Sequence, residues 1–326
     1  MLTDTHQRFH NYLRISLTDA CNFRCFYCMP DEEIAVTPHA ALMQMDELVA
    51  MAKTFVELGV TKIRLTGGEP LVRKDVGKII KALGKLPVKL TMTTNGVLVH
   101  KFIDVFKEAG LKSINVSLDT LDPMRFLALT KRDQFNQVFE NIELLVREGF
   151  SVKVNVVAMK GINESEINRF VAWTKDKPIH IRFIEFMPFT DNAWQSKRVL
   201  TYQEILEIVS TAYTFIKLQD ELHDTTKKYQ VEGHQGTFAV ISTMTAPFCS
   251  SCNRIRLTAD GKLKNCLFSK HETDLLTAFR QGENIIPLIA KNIQQKQAWL
   301  GGQLASNYEQ IDTSELDNRS MISIGG

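Results

Sequence analysis

Residues 12–28 read YLRISLTDACNFRCFYC, and they decide the fold. A short β-like run passes through a polar turn into Cys21, Cys25 and Cys28, spaced C-x3-C-x2-C. A closed structural zinc site takes four protein ligands, and this stretch supplies three. Cysteine thiolates also hold [4Fe–4S] clusters, where three of them leave one iron open to an outside ligand. A zinc knuckle that borrows one histidine is the competing reading.

The other three cysteines, Cys249, Cys252 and Cys266, stand in PFCSSCNRIRLTADGKLKNCLF, and none lies between the two groups. Zinc ribbons pair two C-x2-C knuckles, and here the second knuckle is missing. An odd number of cysteines per group argues against disulfides in a reducing compartment. Arg254 and Arg256 alternate just after Cys252, so in a strand they point the same way, which suits phosphate recognition. A solvated ladder on the surface is the plainer alternative for these two arginines.

Between the cysteine groups, short β-like runs alternate with helical patterns. The strands expected are Leu13–Thr18, Lys62–Thr66, Leu90–Asn95, Ser113–Asp119, Val152–Val157 and His180–Met187. The helical stretches include Gln44–Leu58, Leu98–Ala109, Phe135–Glu148 and Glu164–Lys175. Gly59, Gly110 and Gly149 fall where a helix should stop before the next strand. Repeated βα units predict a parallel sheet, open or rolled into a barrel.

Side-chain alternation discriminates between the two. One strand face carries Arg14, Ser16 and Thr18; the next strands add Lys62, Arg64 and Thr66, then Thr91, Thr93 and Asn95, then Ser113, Asn115, Ser117 and Asp119, then Lys153 and Asn155. A parallel strand buried on both faces should read as nearly continuous Val, Ile and Leu. An open sheet with a solvated face could look like this, but crossovers normally cover both faces. The pattern favours a barrel with a wet interior for a large, polar, anionic ligand.

The chain of 326 residues is long enough for a barrel of about 200 residues plus an appendage. A net charge of +2 gives no whole-molecule field for nucleic acid or anionic membrane. No apolar run reaches the roughly 18–20 residues that span a bilayer, and the opening MLTDTHQRFHNY lacks a signal-peptide core, so the expected location is cytoplasmic. The pattern changes after Trp194: Thr201–Tyr213 reads as a helix capped by Thr201, and short strands follow near Phe215–Leu218, Tyr229–Val231 and Thr237–Ser242. Two domains are expected, 1–217 and 218–326. The last helix-like stretch is Ile286–Lys296, and the tail ends in Gly325 and Gly326.

The first cysteine group resembles the signature of the radical S-adenosylmethionine (SAM) superfamily. Thr66-Gly67-Gly68-Glu69-Pro70 is similar to that superfamily's GGEP motif, one βα unit later. Nearly the whole chain resembles the GTP 3′,8-cyclase family, known as molybdenum cofactor biosynthesis A. The resemblance is carried by LRISLTDACNFRCFYCMP, KIRLTGGEPLVRKD, TMTTNG, INVSLDTLD, VKVNVVAMKGIN, IRFIEFMP, the second cysteine group with CNRIRLTADG, and the terminal GlyGly. Ala20 departs from it, standing where many relatives have Arg.

That resemblance implies an α/β fold, an incomplete parallel (βα)6-type TIM barrel with a C-terminal α+β extension closing the open side. It implies two [4Fe–4S] clusters, one on Cys21, Cys25 and Cys28 that cleaves SAM, and one on Cys249, Cys252 and Cys266 that meets the guanine of GTP. Tyr27, Gly68, Ser117 and Met187 match SAM-contacting positions. Arg14, Arg64, Thr93, Lys153, Arg254 and Arg256 match GTP-contacting positions, with Lys62 and Arg182 as neighbours. The implied reaction converts GTP to (8S)-3′,8-cyclo-7,8-dihydroguanosine 5′-triphosphate, a 5′-deoxyadenosyl radical taking the ribose C3′ hydrogen before attack on guanine C8. Gly325 and Gly326 would assist radical initiation, with plain terminal disorder as the alternative. Implied partners are GTP, a reductant such as a flavodoxin or ferredoxin system and a downstream cyclic pyranopterin monophosphate synthase; a homodimer is compatible, and neither nucleic acid nor membrane is expected.

Two other classes stay open at this level. Another radical SAM enzyme, such as a peptide-modifying one, should carry a longer Cys-rich C-terminal region. A zinc-stabilised nucleic-acid-binding protein should carry a basic, aromatic-studded surface and a higher net charge.

Overall fold

The computed structural model describes residues 1–29, 37–190, 192–305 and 307–325. Six strands alternate with helices: β1 (Tyr12–Ser16), β2 (Lys62–Thr66), β3 (Lys89–Thr94), β4 (Ser113–Ser117), β5 (Ser151–Ala158) and β6 (His180–Glu185). The helices among them are α1 (Met45–Glu57), α2 (Val76–Gly84), α3 (Ile103–Glu108), α4 (Pro123–Thr130), α5 (Phe135–Arg147) and α6 (Ile167–Trp173). Then come α7 (Tyr202–Ser210), β7 (Phe215–Lys217), β8 (Lys227–Val231), β9 (Thr237–Ile241), β10 (Arg254–Leu257), β11 (Lys262–Lys264) and β12 (Thr273–Asp274). Three more helices follow: α8 (Leu275–Arg280), α9 (Ile286–Gln294) and α10 (Met321–Ile324).

All twelve strands form one sheet, ordered β12-β11-β10-β1-β2-β3-β4-β5-β6-β9-β8-β7. From β10 to β9 the eight neighbouring strands run parallel, and antiparallel hairpins continue each end. β10 therefore inserts beside β1, so a strand from late in the chain sits against the first one.

Local chemistry explains the helix ends. Gln44 and Glu47 close a capping box at the start of α1, with Gln44 N donating to Glu47 Oε2 at 2.7 Å. Thr201 caps α7 as expected, through a second box with Glu204. Gly59 follows α1 at φ +103°, a conformation that L side chains rarely adopt. The stretch 98–109 is not one helix: a 3-10 turn at Val99–Lys101 precedes α3. The stretch 164–175 divides likewise, a 3-10 turn at Glu164–Glu166 preceding α6. The helix from Ile286 stops at Gln294, two residues short of Lys296, and it is not the last helix, because α10 follows in the tail.

The main apolar core packs the outer strand faces, including Leu13, Ile15, Ile63 and Leu65, against Met51 and Phe55 of α1 and Ile79, Ile80 and Leu83 of α2. Phe55 is fully buried, and its truncation to Ala should cost about 3–5 kcal/mol. A second, smaller cluster joins Phe186, Phe189, Trp194, Phe268, Leu300 and Ile324. Partly buried Phe26 and Tyr27 border it from one side, and Cys249 and Cys266 from another.

Candidate active site

The inner faces of the parallel strands bound a cavity of about 700 Å3. Its cations come from strand register. Arg14 of β1 pairs with Arg256 of β10 on one side and Arg64 of β2 on the other, so three guanidinium side chains leave one rung abreast. The rung before it places Arg254, Tyr12, Lys62 and Lys89 side by side. Across the cavity, β5 and β6 add Lys153 and Arg182. Strands are about 4.8 Å apart, so these like charges crowd one another at the cavity wall.

Among the described residues, nine lysines and arginines line this cavity (Arg14, Lys62, Arg64, Lys89, Lys153, Arg182, Lys228, Arg254 and Arg256) against two carboxylates, Glu221 and Asp224. One of those acids is already used, since Asp224 pairs with Lys228 at 2.5 Å. Burial and then Arg182 push Lys153 down to about 8. Burial also penalises the charged forms of Arg14, Arg182 and Arg256, yet guanidinium groups keep their proton in proteins. The result is a held excess of positive charge.

Some of these donors are committed within the protein and some are not. Arg64 donates to Met92 O at 2.9 Å and to Tyr12 Oη at 2.5 Å. Arg254 donates to Thr225 Oγ1 at 2.5 Å, and Arg182 to Asn155 Oδ1 at 2.6 Å. The Nε groups of Arg182 and Arg254 are buried and find no partner among the described residues. Lys62 and Arg254 stack over the Tyr12 ring, 4.4 and 5.5 Å from its centroid. The arrangement can take a large polyanion with a flat aromatic part.

Every residue expected to contact GTP lines this one cavity: Arg14, Lys62, Arg64, Thr93, Lys153, Arg182, Arg254 and Arg256. Cys249, Cys252 and Cys266 open onto it as well. Cys21, Cys25 and Cys28 do not line it; they follow the carboxyl end of β1, whereas Cys249 and Cys252 precede β10 at the opposite end of the same strands. Cys249 and Cys266 border the second apolar cluster, as do Phe26 and Tyr27 of the first cysteine loop, whereas Cys21 and Cys25 pack against the main core. Met187, expected on the SAM side, lines the cationic cavity and also borders that cluster.

Burial holds the thiols of the first group protonated. It pushes Cys21 up to about 11 and raises Cys25 and Cys28 well above the usual thiol range, with the neighbouring thiols and Asp119 adding to the effect on those two. In the second group burial also raises Cys249. Burial acts to raise Cys252 too, but Lys296 and Arg254 outweigh it and hold that thiol below its usual range. Within each group the thiols are near enough to perturb one another. Among the described residues no three Cys, His, Asp or Glu side chains converge on a single ion. Three thiolates that each take a different iron of a cube need not converge so tightly, and the donor set of each group fits a [4Fe–4S] cluster with one open iron.

Around the first group the backbone is packed closely. A Cβ on Gly68 would lie 2.5 Å from the Ala20 carbonyl oxygen, so only glycine fits there. Gly68 N donates to Thr18 O at 2.7 Å, tying the GGEP turn to the cysteine loop. Glu69, fully buried and pushed up to about 7 by burial, accepts from Leu71 N, Thr94 Oγ1 and Asn95 N at 3.0, 2.8 and 2.6 Å. Ser117 ends β4, paired with Asn155.

Asp119 ends the polar face read for the fourth β-like run, where no role at the site was assigned to it. It accepts from Tyr27 Oη at 2.5 Å and from Val157 N at 2.8 Å, fixing the cysteine loop to β5. Its signal was that place on the polar face, at the carboxyl end of the run. Lys89 was missed because it stands one residue before the strand as drawn.

The tail is ordered as far as it is described. Arg319 grips Asp260 through two bonds of 2.9 and 2.8 Å, and Asn318 accepts from the fully buried Lys264 at 3.0 Å. From there α10 runs inward and Arg256 Nη1 donates to the Gly325 carbonyl oxygen. Gly325 has φ +81°, and a Cβ there would lie 2.6 Å from Thr66 Oγ1. Gly326 lies outside the described residues.

Comparison with known proteins places these features in context. The Radical SAM superfamily profile matches residues 15–174, and the Molybdenum Cofactor Synthesis C profile matches residues 179–300. The mitochondrial GTP 3′,8-cyclase of Arabidopsis thaliana is 44% identical, over 100% of this chain and 84% of that protein. The GTP 3′,8-cyclase of Alkaliphilus metalliredigens is 39% identical over 100% of both chains. The chain spans about half the length of other curated relatives, such as Molybdenum cofactor biosynthesis protein 1 of Mus musculus. Among solved structures, Streptococcus suis SuiB bound to S-adenosylmethionine shares the fold, with a TM-score of 0.61 at 16% identity over 89% of this chain and 68% of that one.

Proposed function

The chain belongs to the GTP 3′,8-cyclase family of radical SAM enzymes, and from that premise we propose that it converts GTP to its 3′,8-cyclised dihydro form. That reaction is the first step of molybdenum cofactor biosynthesis. The cofactors are two [4Fe–4S] clusters and SAM. One observation carries the reading: a rung of three abreast arginines, Arg256, Arg14 and Arg64, in a cavity onto which the second cysteine group opens.

In this reading the fold is an incomplete (βα)6-type barrel, residues 1–217, closed by an extension of residues 218–326. The excess cations bind the triphosphate, whose charge is about −4 and which suits clustered guanidinium and ammonium groups. Arg254, Arg256 and Lys153 hold the phosphates, with Arg14, Lys62, Arg64, Thr93 and Arg182 beside them. Cys249, Cys252 and Cys266 hold the cluster that meets guanine. Cys21, Cys25 and Cys28 hold the cluster that binds SAM, with Tyr27, Gly68, Ser117 and Met187 against the cofactor. Those groups, when bound, supply a carbon radical able to take the ribose C3′ hydrogen. Gly325 and Gly326 assist radical initiation, and Gly325 is held at the cationic rung by Arg256.

The same reading makes the protein cytoplasmic; among the described residues no helix is long and apolar enough to cross a membrane. A flavodoxin or ferredoxin supplies electrons, a cyclic pyranopterin monophosphate synthase takes the product, and a homodimer is compatible with it.

The test is anaerobic. Protein with both clusters is given SAM and a reductant, and 5′-deoxyadenosine is measured with and without GTP. Formation should depend on GTP, with the cyclised nucleotide as product. SAM cleavage at one rate regardless of GTP would refute the reading.

A further inference from the structure

The N-terminal segment docks against the second cysteine group through groups that the reaction above does not use. Asp4, Arg8 and His10 are all buried. Asp4 Oδ2 accepts from Arg8 Nε at 2.6 Å and from His10 Nε2 at 3.0 Å. Arg8 then donates to the carbonyl oxygen of Cys249 at 2.9 Å and to that of Gln297 at 2.9 Å. Because Asp4 holds the His10 Nε2 proton, Nδ1 is the acceptor face of the ring. Burial and the Lys296 charge hold His10 down to about 4, so the ring is neutral near pH 7.

Lys296 faces that nitrogen, its Nζ 3.5 Å from Nδ1. The lysine is only 3% exposed. It donates to Arg254 O at 2.8 Å and points at Cys252 Sγ, 3.7 Å away. A buried ammonium is costly unless an anion meets it. Among the described residues Lys296 forms no ion pair with a carboxylate, and Asp4 is already engaged by Arg8 and His10. The anion left to it is the Cys252 sulfur.

We infer that Lys296, oriented by the His10–Asp4 pair and the Arg254 carbonyl, is a positioning residue that donates to the Cys252 thiolate and raises the reduction potential of the cluster held there. Hydrogen bonds to cluster sulfurs and local net charge set such potentials, and outer partners orient the ligands themselves. A cation this close favours the reduced, more negative cluster. The helix α9 makes the placement possible by ending at Gln294 and turning Lys296 inward.

This inference rests on the second cysteine group carrying a cluster, so the experiment measures that first. Iron content and a redox titration followed by electron paramagnetic resonance are taken on the whole protein and on K296M, which keeps the side chain's length and removes its charge. The second cluster's midpoint should shift to more negative potential in K296M, while the first cluster's stays put. If the unaltered protein holds one cluster only, the reading above fails instead. If K296M holds both and the second midpoint does not move, Lys296 is only packing and the inference is overturned. If K296M loses the second cluster, K296Q, which retains a neutral N–H donor, is titrated in its place. A negative shift there supports the inference, and an unmoved midpoint overturns it.

Discussion

Arg256 donates from Nη1 to the carbonyl oxygen of Gly325, so an arginine of the cationic rung holds the end of the chain. At Gly325 the tail therefore meets a residue that lines the cationic cavity. The substitution G325A places a Cβ 2.6 Å from Thr66 Oγ1 at a φ of +81°, costing locally about 1–3 kcal/mol. GTP-dependent 5′-deoxyadenosine formation should fall at least about tenfold, as one misplaced contact can do. GTP affinity, measured by equilibrium dialysis, should change far less.

R254A removes a guanidinium whose Nε has no partner among the described residues. Loss of a charge-assisted contact to the triphosphate should weaken GTP binding by roughly 1.5–3 kcal/mol. The melting temperature of the nucleotide-free protein should not fall, because one of several crowded like charges has gone. A fall in melting temperature with unchanged GTP affinity would mark Arg254 as structural.

Lys153 makes GTP binding depend on pH. Burial and the neighbouring cations hold it down to about 8, so the free protein carries this charge below pH 8 and loses it above. GTP affinity should be level from pH 6.5 to 7.5 and decline as the pH rises past 8, since the bound anion favours the protonated form. K153R, which does not titrate in this range, should remove the decline. Titration calorimetry under anaerobic conditions at several pH values measures it.

E69Q tests the turn that carries Gly68. The carboxylate accepts three hydrogen bonds, two of them from backbone N–H groups, and an amide would turn a donor toward one of them. Denaturant unfolding should show a loss of about 1–3 kcal/mol.

Much of this was legible in the order of residues, and the rest was not for a physical reason. Alternation along one strand is local, so the polar face of Arg14 and Ser16 could be read directly, and so could the Thr201 cap of α7. Adjacency between strands is not local. Nothing in the sequence alone says that Arg256, 242 positions after Arg14, sits on the next strand in the same rung. The roles of Asp119 and Lys296 were not legible because they depend on partners far along the chain, Tyr27 for one and Cys252 and His10 for the other. The tail reads as polar and unpatterned, yet Arg319 and Asn318 are held by Asp260 and Lys264 of the extension, and such contacts leave no periodic trace.

The central claim is that the nucleotide meets the second cluster in the cationic cavity while SAM meets the first beyond the carboxyl end of β1. Electron paramagnetic resonance of the reduced protein, recorded with and without GTP, tests it most directly. The account predicts two cluster signals, of which GTP alters one; C249S should lose that one and keep the other. A single signal, or two signals that GTP leaves unchanged, would contradict it.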